Sequence, residues 1–406
     1  MFKKILSGVI ALCLLTATVS AHPFTDTKGH WADEEIGYAY DQKIVNGYGD
    51  GLFKPNANIT RAEFVKMLVS VVGENLEIDV TAKKDDSHWA ATYYNFAIEN
   101  NMFMPVSDIA FEGISPAVLE GENYNTPIKR WEMAYMLFTT VSILFGQYPE
   151  GADFNDRAVT TEIYGELIEI AVSGCVGCGL ITGDENGNFN PSRQGTRAEA
   201  VTVINRLDRM IKSVVEENQR QWEEAEKAVD DKVKTYTEIP SGKPQVQVEM
   251  ENGKKFKIEL YPELAPQTVA NFLELVKSGF YDGLKFHRVI DGFMAQGGDP
   301  EGNGTGGANH YVTGEFAANG FNNILSHQRG VLSMARGQFN NSASSQFFIC
   351  YDDCSFLDGS YAAFGKVIEG MDVVDDFLNG EFDMNEMGEM SIPKKDIVMK
   401  KVVVVK

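Results

Sequence analysis

Beyond its first 21 residues the chain changes its hydrophobic rhythm once, close to residue 243. Before that point apolar residues recur at three- and four-residue spacing in runs such as 36–43, 64–68, 93–100 and 133–137, the pattern of amphipathic helices. From 201 to 234 the run is long, charged and free of Pro and Gly, with acids at Glu216, Glu217, Glu223, Glu224 and Glu226, which predicts a solvated spacer helix. Pro240, Gly242 and Pro244 then break the pattern. Short alternating strands follow at 246–250 and 256–260, with a helix expected over 267–279, a second near 371–378 and a last strand at 400–405. Two helices against many antiparallel strands predict a closed barrel with capped ends, so a helical region precedes a mostly β region.

The first 21 residues have a rhythm of their own. Lys3 and Lys4 precede an apolar stretch over 5–16, and Val19-Ser20-Ala21 supplies small residues for cleavage, the pattern of a secretory signal peptide. The apolar run is shorter than the roughly 20 residues a spanning helix needs. Export as a protein with no membrane span after cleavage is therefore expected.

A single pentad recurs within the helical region. Ile59-Thr60-Arg61-Ala62-Glu63, Ile128-Lys129-Arg130-Trp131-Glu132 and Gly195-Thr196-Arg197-Ala198-Glu199 each open a helix-like run, and their arginines lie 69 and then 67 residues apart. Asp26 and Trp31, Asp86 and Trp89, and Asp153 to Asp156 begin the three units. Turns at 49–55 and 183–191, rich in Gly and Asn and ended by Pro, precede the first and third pentads. Thr60 with Glu63, and Thr196 with Glu199, have capping-box spacing.

These units resemble S-layer homology repeats, the first closely, the third without its early Trp, and the second with 105–127 in place of the usual turn. The resemblance implies a pseudo-threefold helical bundle whose grooves bind secondary cell-wall polysaccharide, with Arg61, Arg130 and Arg197 as donors to sugar carboxylates. The other reading of each arginine is a structural ion pair.

Two passages in the β region carry chemistry. The first is Phe286-His287-Arg288-Val289-Ile290-Asp291-Gly292-Phe293-Met294-Ala295-Gln296-Gly297-Gly298-Asp299. The other runs through Ser333-Met334-Ala335-Arg336, Ser342 to Ile349 and Leu357-Asp358-Gly359. Both resemble the signature of cyclophilin-type peptidyl-prolyl cis-trans isomerases, and the likeness spans 244–406.

Rotation about an Xaa–Pro bond faces a barrier of about 18–20 kcal/mol and takes tens of seconds unaided. Catalysis requires no cofactor, metal or nucleophile. It requires a cationic donor aimed at the twisted amide and a dry pocket for the ring. Millisecond turnover means lowering the barrier by roughly 5–7 kcal/mol.

The resemblance makes Arg288 that donor and Phe293, Met294, Phe348 and Leu357 the proline pocket, with Gln296 positioning Arg288 and the substrate backbone. Ala335, Arg336, Gln346 and Gly304 would meet residues preceding the proline, and His287 borders the site. Phe356 and Tyr361 stand where many eukaryotic members have Trp and His, which implies weaker cyclosporin inhibition through loss of the indole N–H.

Composition removes some rivals. A net charge of −22 over 406 residues argues against tracking nucleic acid. Cys175 and Cys178 form a C-x-x-C without a second pair or His cluster, so structural or free thiols are expected there, and Cys350 and Cys354 flank a loop short enough to bridge. Gly302 to Gly307 satisfies a nucleotide-loop spacing but opens no helix, and Asp184, Asn186 and Asn188 imitate a calcium loop but read as a turn because Phe189 replaces its Gly.

The expected organisation is a leader over 1–21, repeats over 22–80, 81–148 and 149–212, an acidic helical linker over 213–242 and a catalytic domain over 243–406. The expected function is a wall-tethered isomerase acting on proline-containing exported polypeptides. Intact Arg288, Gln296 and Phe348 favour it over a groove that holds proline segments without turnover, or over a structural surface-layer protein.

Overall fold

The computed structural model describes residues 22–85, 87–102, 124–386 and 388–406. The expected leader, Asp86 and most of the 105–127 segment lie outside them. The chain divides into two compact units, 1–221 and 222–406.

In the first unit the helices are α1 (Asp33–Asp41), α2 (Arg61–Asn75), α3 (Ala91–Glu99), α4 (Arg130–Phe145), α5 (Arg157–Gly177) and α6 (Arg197–Asp230), the last running on into the second unit. The pentads start α2, α4 and α6, as their sequences require. Thr60 accepts from the Glu63 amide while the Glu63 carboxylate accepts from the Thr60 amide, a reciprocal cap repeated at Thr196 and Glu199. At α4 Lys129 cannot accept, and only its own amide donates to Glu132, at 2.8 Å.

Short backbone bridges then join the pentads in a cycle. Thr60 pairs with Pro127, Lys129 with Gln194, and Asn58 with Thr196. The turns ahead of the first and third pentads are held alike: the Asp26 carboxylate accepts the amides of Phe53 and Lys54, and Asp156 those of Phe189 and Asn190. A continuous apolar core through Phe53, Phe64, Leu68, Leu137, Phe189 and Ile204 unites the three units.

The second unit is a closed antiparallel barrel. Its strands are β1 (Gln245–Met250), β2 (Lys255–Leu260), β3 (Lys285–Ile290), β4 (Met294–Gly297), β5 (Val331–Met334), β6 (Phe347–Cys350), β7 (Ala363–Glu369) and β10 (Ile397–Val404), in the order β1-β10-β3-β4-β6-β5-β7-β2. Strands β8 (Phe382–Met384) and β9 (Met390–Pro393) form a separate hairpin, with β9 beside β3. Alternation places Val246, Val248, Phe256 and Ile258 inward.

Helix α7 (Pro266–Lys277) starts with Pro at its first turn, and the buried Glu315 carboxylate accepts its amides at Gln267 and Thr268. A second helix, α8 (Met371–Asp375), lies near its expected place. Phe272, Tyr281, Phe286, Phe347 and Phe364 form the aromatic centre of the barrel.

The linker differs from expectation at both ends. Val214 is buried in the helical core, and Trp222 stacks edge-on against Phe339 at 4.8 Å in the second unit. Lys232 and Lys234 bond the backbone of Tyr311, and Tyr236 reaches Asn271 and His310. The barrel unit thus begins about twenty residues before 243, with Trp222, one backbone bridge at Val233 and the Tyr236 hydroxyl holding this stretch to it.

Candidate active site

Strand alternation alone would place Phe286 and Arg288 on the same face. In the barrel Phe286 pairs with Gly297 and Arg288 with Gln296, so β3 uses two steps where β4 uses one. His287 is the extra residue of this bulge. It returns Phe286 to the core and turns Arg288 to the opposite face, beside Gln296. Gln296 in turn pairs with Phe348 on β6, which pairs with Ser333 on β5. Arg288, Gln296 and Phe348 therefore form one row across three neighbouring strands.

Below that row lies a small apolar cluster separate from the barrel core. Met294, Phe348, Cys350 and Cys354 are its buried members, bordered by Ile290, Phe293, Ala335, Leu357 and Tyr361. Phe293 lies 5.6 Å from Phe356, and Tyr361 meets Phe348 edge-on at 6.0 Å. Phe356 is 71% exposed at the rim. Buried His327 stacks behind Phe348, bonded to Asp358 at 2.7 Å and Ser333 at 2.9 Å. Burial keeps the His327 imidazole below its ordinary pKa despite the adjacent carboxylate.

Next to the cluster is a cleft of about 470 Å³ lined by Gln296, Gly304, Gly306, Ala335, Arg336 and Gln346 among others. Gln296 donates to Gln346 at 2.8 Å, and Gln346 donates to the carbonyls of Gly304 and Gly306. Arg336 bonds the Ser360 carbonyl and lies over the Tyr361 ring at 4.8 Å. His287 is buried beneath the Gly304 loop; neither ring nitrogen has a partner among the described residues, and desolvation depresses its pKa.

Two expectations are corrected. The resemblance has Gln296 position Arg288, but among the described residues no hydrogen bond joins the two, and Gln296 donates through Nε2 to Gln346. Arg288 instead makes a fork with Glu389, Nε to Oε2 at 3.2 Å and Nη2 to both oxygens at 3.0 Å. Glu389 escapes a reading of the sequence because it lies 101 residues away, in a Met- and Glu-rich stretch with no motif.

The second correction concerns Arg61, Arg130 and Arg197. Each guanidinium is paired with the glutamate of another pentad: Arg61 with Glu132 at 2.6 Å, Arg130 with Glu199 at 3.2 Å, and Arg197 with Glu63 at 2.9 Å. Arg130 also donates to the carbonyls of Phe189 and Thr182, and Arg197 to that of Phe53. The structural alternative therefore describes them better, with the partner coming from a different repeat. Their side chains are almost enclosed, which leaves little of each guanidinium open to a sugar carboxylate. Arg130 does border a cleft of about 480 Å³ that Trp31, Arg193 and Arg206 also line. Trp31 is 64% exposed.

Among the described residues Cys175, Cys178, Cys350 and Cys354 are free thiols. Asp184 uses its carboxylate on the amides of Asn186 and Asn188 and the side chain of Asn190, as a turn does. Among the described residues no helix is long and apolar enough to cross a membrane.

Comparison with known proteins matches the two regions separately. The model of cyclophilin type peptidyl-prolyl cis-trans isomerases covers residues 245–404, and that of the S-layer homology domain covers 23–65 and 169–201. Peptidyl-prolyl cis-trans isomerase B of Bacillus subtilis is 46% identical over 132 residues, 32% of this chain and 89% of that protein. A peptidyl-prolyl cis-trans isomerase of Helicobacter pylori is also 46% identical over 132 residues, 32% of this chain and 78% of its own length. A Cryptosporidium parvum cyclophilin type peptidyl-prolyl cis-trans isomerase of known structure is 33% identical, covering 41% of this chain and 99% of that one, at a TM-score of 0.36. The barrel, its sequence relatives and the matched family model together make this chain a member of the cyclophilin-type peptidyl-prolyl cis-trans isomerases, with S-layer homology sequence ahead of the enzyme.

Proposed function

We propose that the enzyme works outside the cytoplasm, held at the cell wall by its first unit, on proline-containing segments of exported polypeptides. The observation that carries the catalytic assignment is the row of Arg288, Gln296 and Phe348 over a separate apolar cluster. The proline ring enters between Phe293, Met294, Phe348 and Leu357. There the amide loses its water, and resonance, which favours the planar forms, is opposed by a donor from one side.

Arg288 supplies that donor. Its charge stabilises the pyramidal nitrogen and the prolyl carbonyl more in the twisted state than in either planar one, which is what lowers the barrier. Residues before the proline run along Gln296, Ala335, Arg336 and Gln346, where Gly304 leaves room for backbone. No bond is made or broken apart from hydrogen bonds.

The tethering rests on the S-layer homology matches and on the cleft beside Arg130. Trp31 offers an exposed ring for a sugar face, while Arg193 and Arg206 supply charge to an acidic polymer. A protease-coupled assay on an Xaa-Pro peptide tests the enzyme site. Arg288→Ala should abolish most of the acceleration while leaving the fold intact, and retention of full activity would reject the assignment. Cosedimentation with purified wall sacculi tests the tether, which fails if the folded protein stays in the supernatant.

A further inference from the structure

Arg288 is a long side chain with considerable rotamer freedom, and a donor that swings costs rate. Among the described residues its only hydrogen-bond partner is Glu389, while Gln296 donates to Gln346. Glu389 is not an ordinary surface acid. It sits at the end of the loop joining β8 and β9, where its amide donates to the Asn385 side chain at 2.9 Å and its carbonyl accepts the Asn385 amide at 2.8 Å. Asn385 also donates to the Glu389 carboxylate at 2.7 Å and to Ser391, which is buried. Backbone and carboxylate are thus both fixed before the arginine is reached. Elsewhere on the hairpin Lys394 pairs with Glu381 and Asp383.

The stereochemistry of the fork gives this contact its meaning. A carboxylate on the Nε and Nη2 edge of a guanidinium fixes its plane and leaves the Nη1 edge as donor. We propose that Glu389 is a positioning residue for the isomerase reaction: it clamps one edge of Arg288 so that the opposite edge meets the twisted prolyl amide. The β8–β9 hairpin then belongs to the active site although no residue of it touches substrate. This rests on Arg288 being the catalytic donor, and the test separates the two claims.

In the chain spanning residues 22–406, Arg288→Ala alone checks the donor. Glu389→Ala should lower kcat about tenfold with KM within twofold, and Glu389→Gln, which keeps one oxygen acceptor and the shape, should recover some of that loss. In the Arg288→Ala background Glu389→Ala should cost nothing further, because the clamp has nothing left to hold. The proposal is overturned if folded Glu389 variants keep the parental kcat, if kcat rises, if the loss falls on KM, or if the two substitutions add independently. Should Glu389→Ala not fold, Glu389→Gln carries the same comparisons. A large Arg288→Ala defect with silent Glu389 variants would sink the clamp and leave the donor standing.

Discussion

Three arginines open the pentads of the helical unit and a fourth, Arg288, is the barrel's candidate donor, and the two units treat them oppositely. In the helical unit Arg61, Arg130 and Arg197 are enclosed, with side chains 13%, 8% and 9% exposed, each joined to a glutamate of another repeat. Together the three pairs close a ring around the pseudo-threefold arrangement. In the barrel Arg288 is 26% exposed and held on one edge only. A guanidinium has five donors in a fixed plane. Enclosing it between repeats beside a glutamate makes a fastener, whereas holding one edge and leaving the side chain partly exposed keeps donors for the proposed catalytic role. What distinguishes the two is not the residue but how far the fold encloses it.

The largest effect that would sharpen this contrast is on catalysis. Arg288→Ala should reduce kcat/KM about 10²–10³-fold, the usual scale for losing one donor to a developing charge, with little change in melting temperature. Peptide isomerisation and a thermal scan on one sample would check both halves, and a large drop in stability would mean Arg288 is a fastener too.

The converse experiment is Arg130→Ala. Among the described residues it leaves Glu199 with Arg193 as its only ion-pair partner and opens carbonyls of Phe189 and Thr182, so the helical unit should lose about 3 kcal/mol. Denaturant unfolding would read this, while isomerase activity should stay at the parental value.

Next in size is the tether. Joint replacement of Trp31 and Arg206 by Ala should weaken sacculus binding roughly tenfold without unfolding, whereas cosedimentation at the parental level would move the sugar site away from that cleft.

A pH test comes after these. His287, His310 and His327 are all pushed below the ordinary imidazole pKa, chiefly by burial. Unfolding restores their affinity for protons, so their neutral forms favour the fold above about pH 6.5. As pH falls below that value the unfolded chain takes up protons first and stability declines, down to the folded-state pKa values. Chemical unfolding of the barrel at pH 7.5 and 5.5 should give the lower midpoint at 5.5; an unchanged or higher midpoint would contradict this sign.

The smallest expected effect concerns Phe356. Phe356→Trp restores an indole N–H at the rim and should strengthen cyclosporin inhibition about fivefold, near the worth of one hydrogen bond, with turnover unchanged.

Much of this is legible in the residues alone. The change of periodicity near 243, the pentad spacing and the strings around Arg288 and Phe348 are local features, and local features are where residue type and backbone geometry are directly linked. The reciprocal caps at Thr60 and Thr196 show this best, since Thr and Glu three apart can satisfy each other within one turn. The second repeat shows the limit. Its pentad has Lys and Trp where Thr and Ala stand elsewhere, and the S-layer homology match skips it, yet Arg130 and Glu132 complete the ring. Packing kept the two residues that face other repeats and let the rest vary.

By itself the sequence determined the two element classes, their boundary to within some twenty residues, and the residue types that isomerase chemistry needs. Tertiary structure alone decided which face Arg288 takes, because one bulged residue at His287 reverses the alternation that a strand would otherwise follow. It also decided partners. Glu389 reaches Arg288 across 101 positions, and Arg197 reaches Glu63 across 134. Side-chain pairing over such separations is set by how strands and helices close on one another, a property of the folded chain that no local run of residues contains.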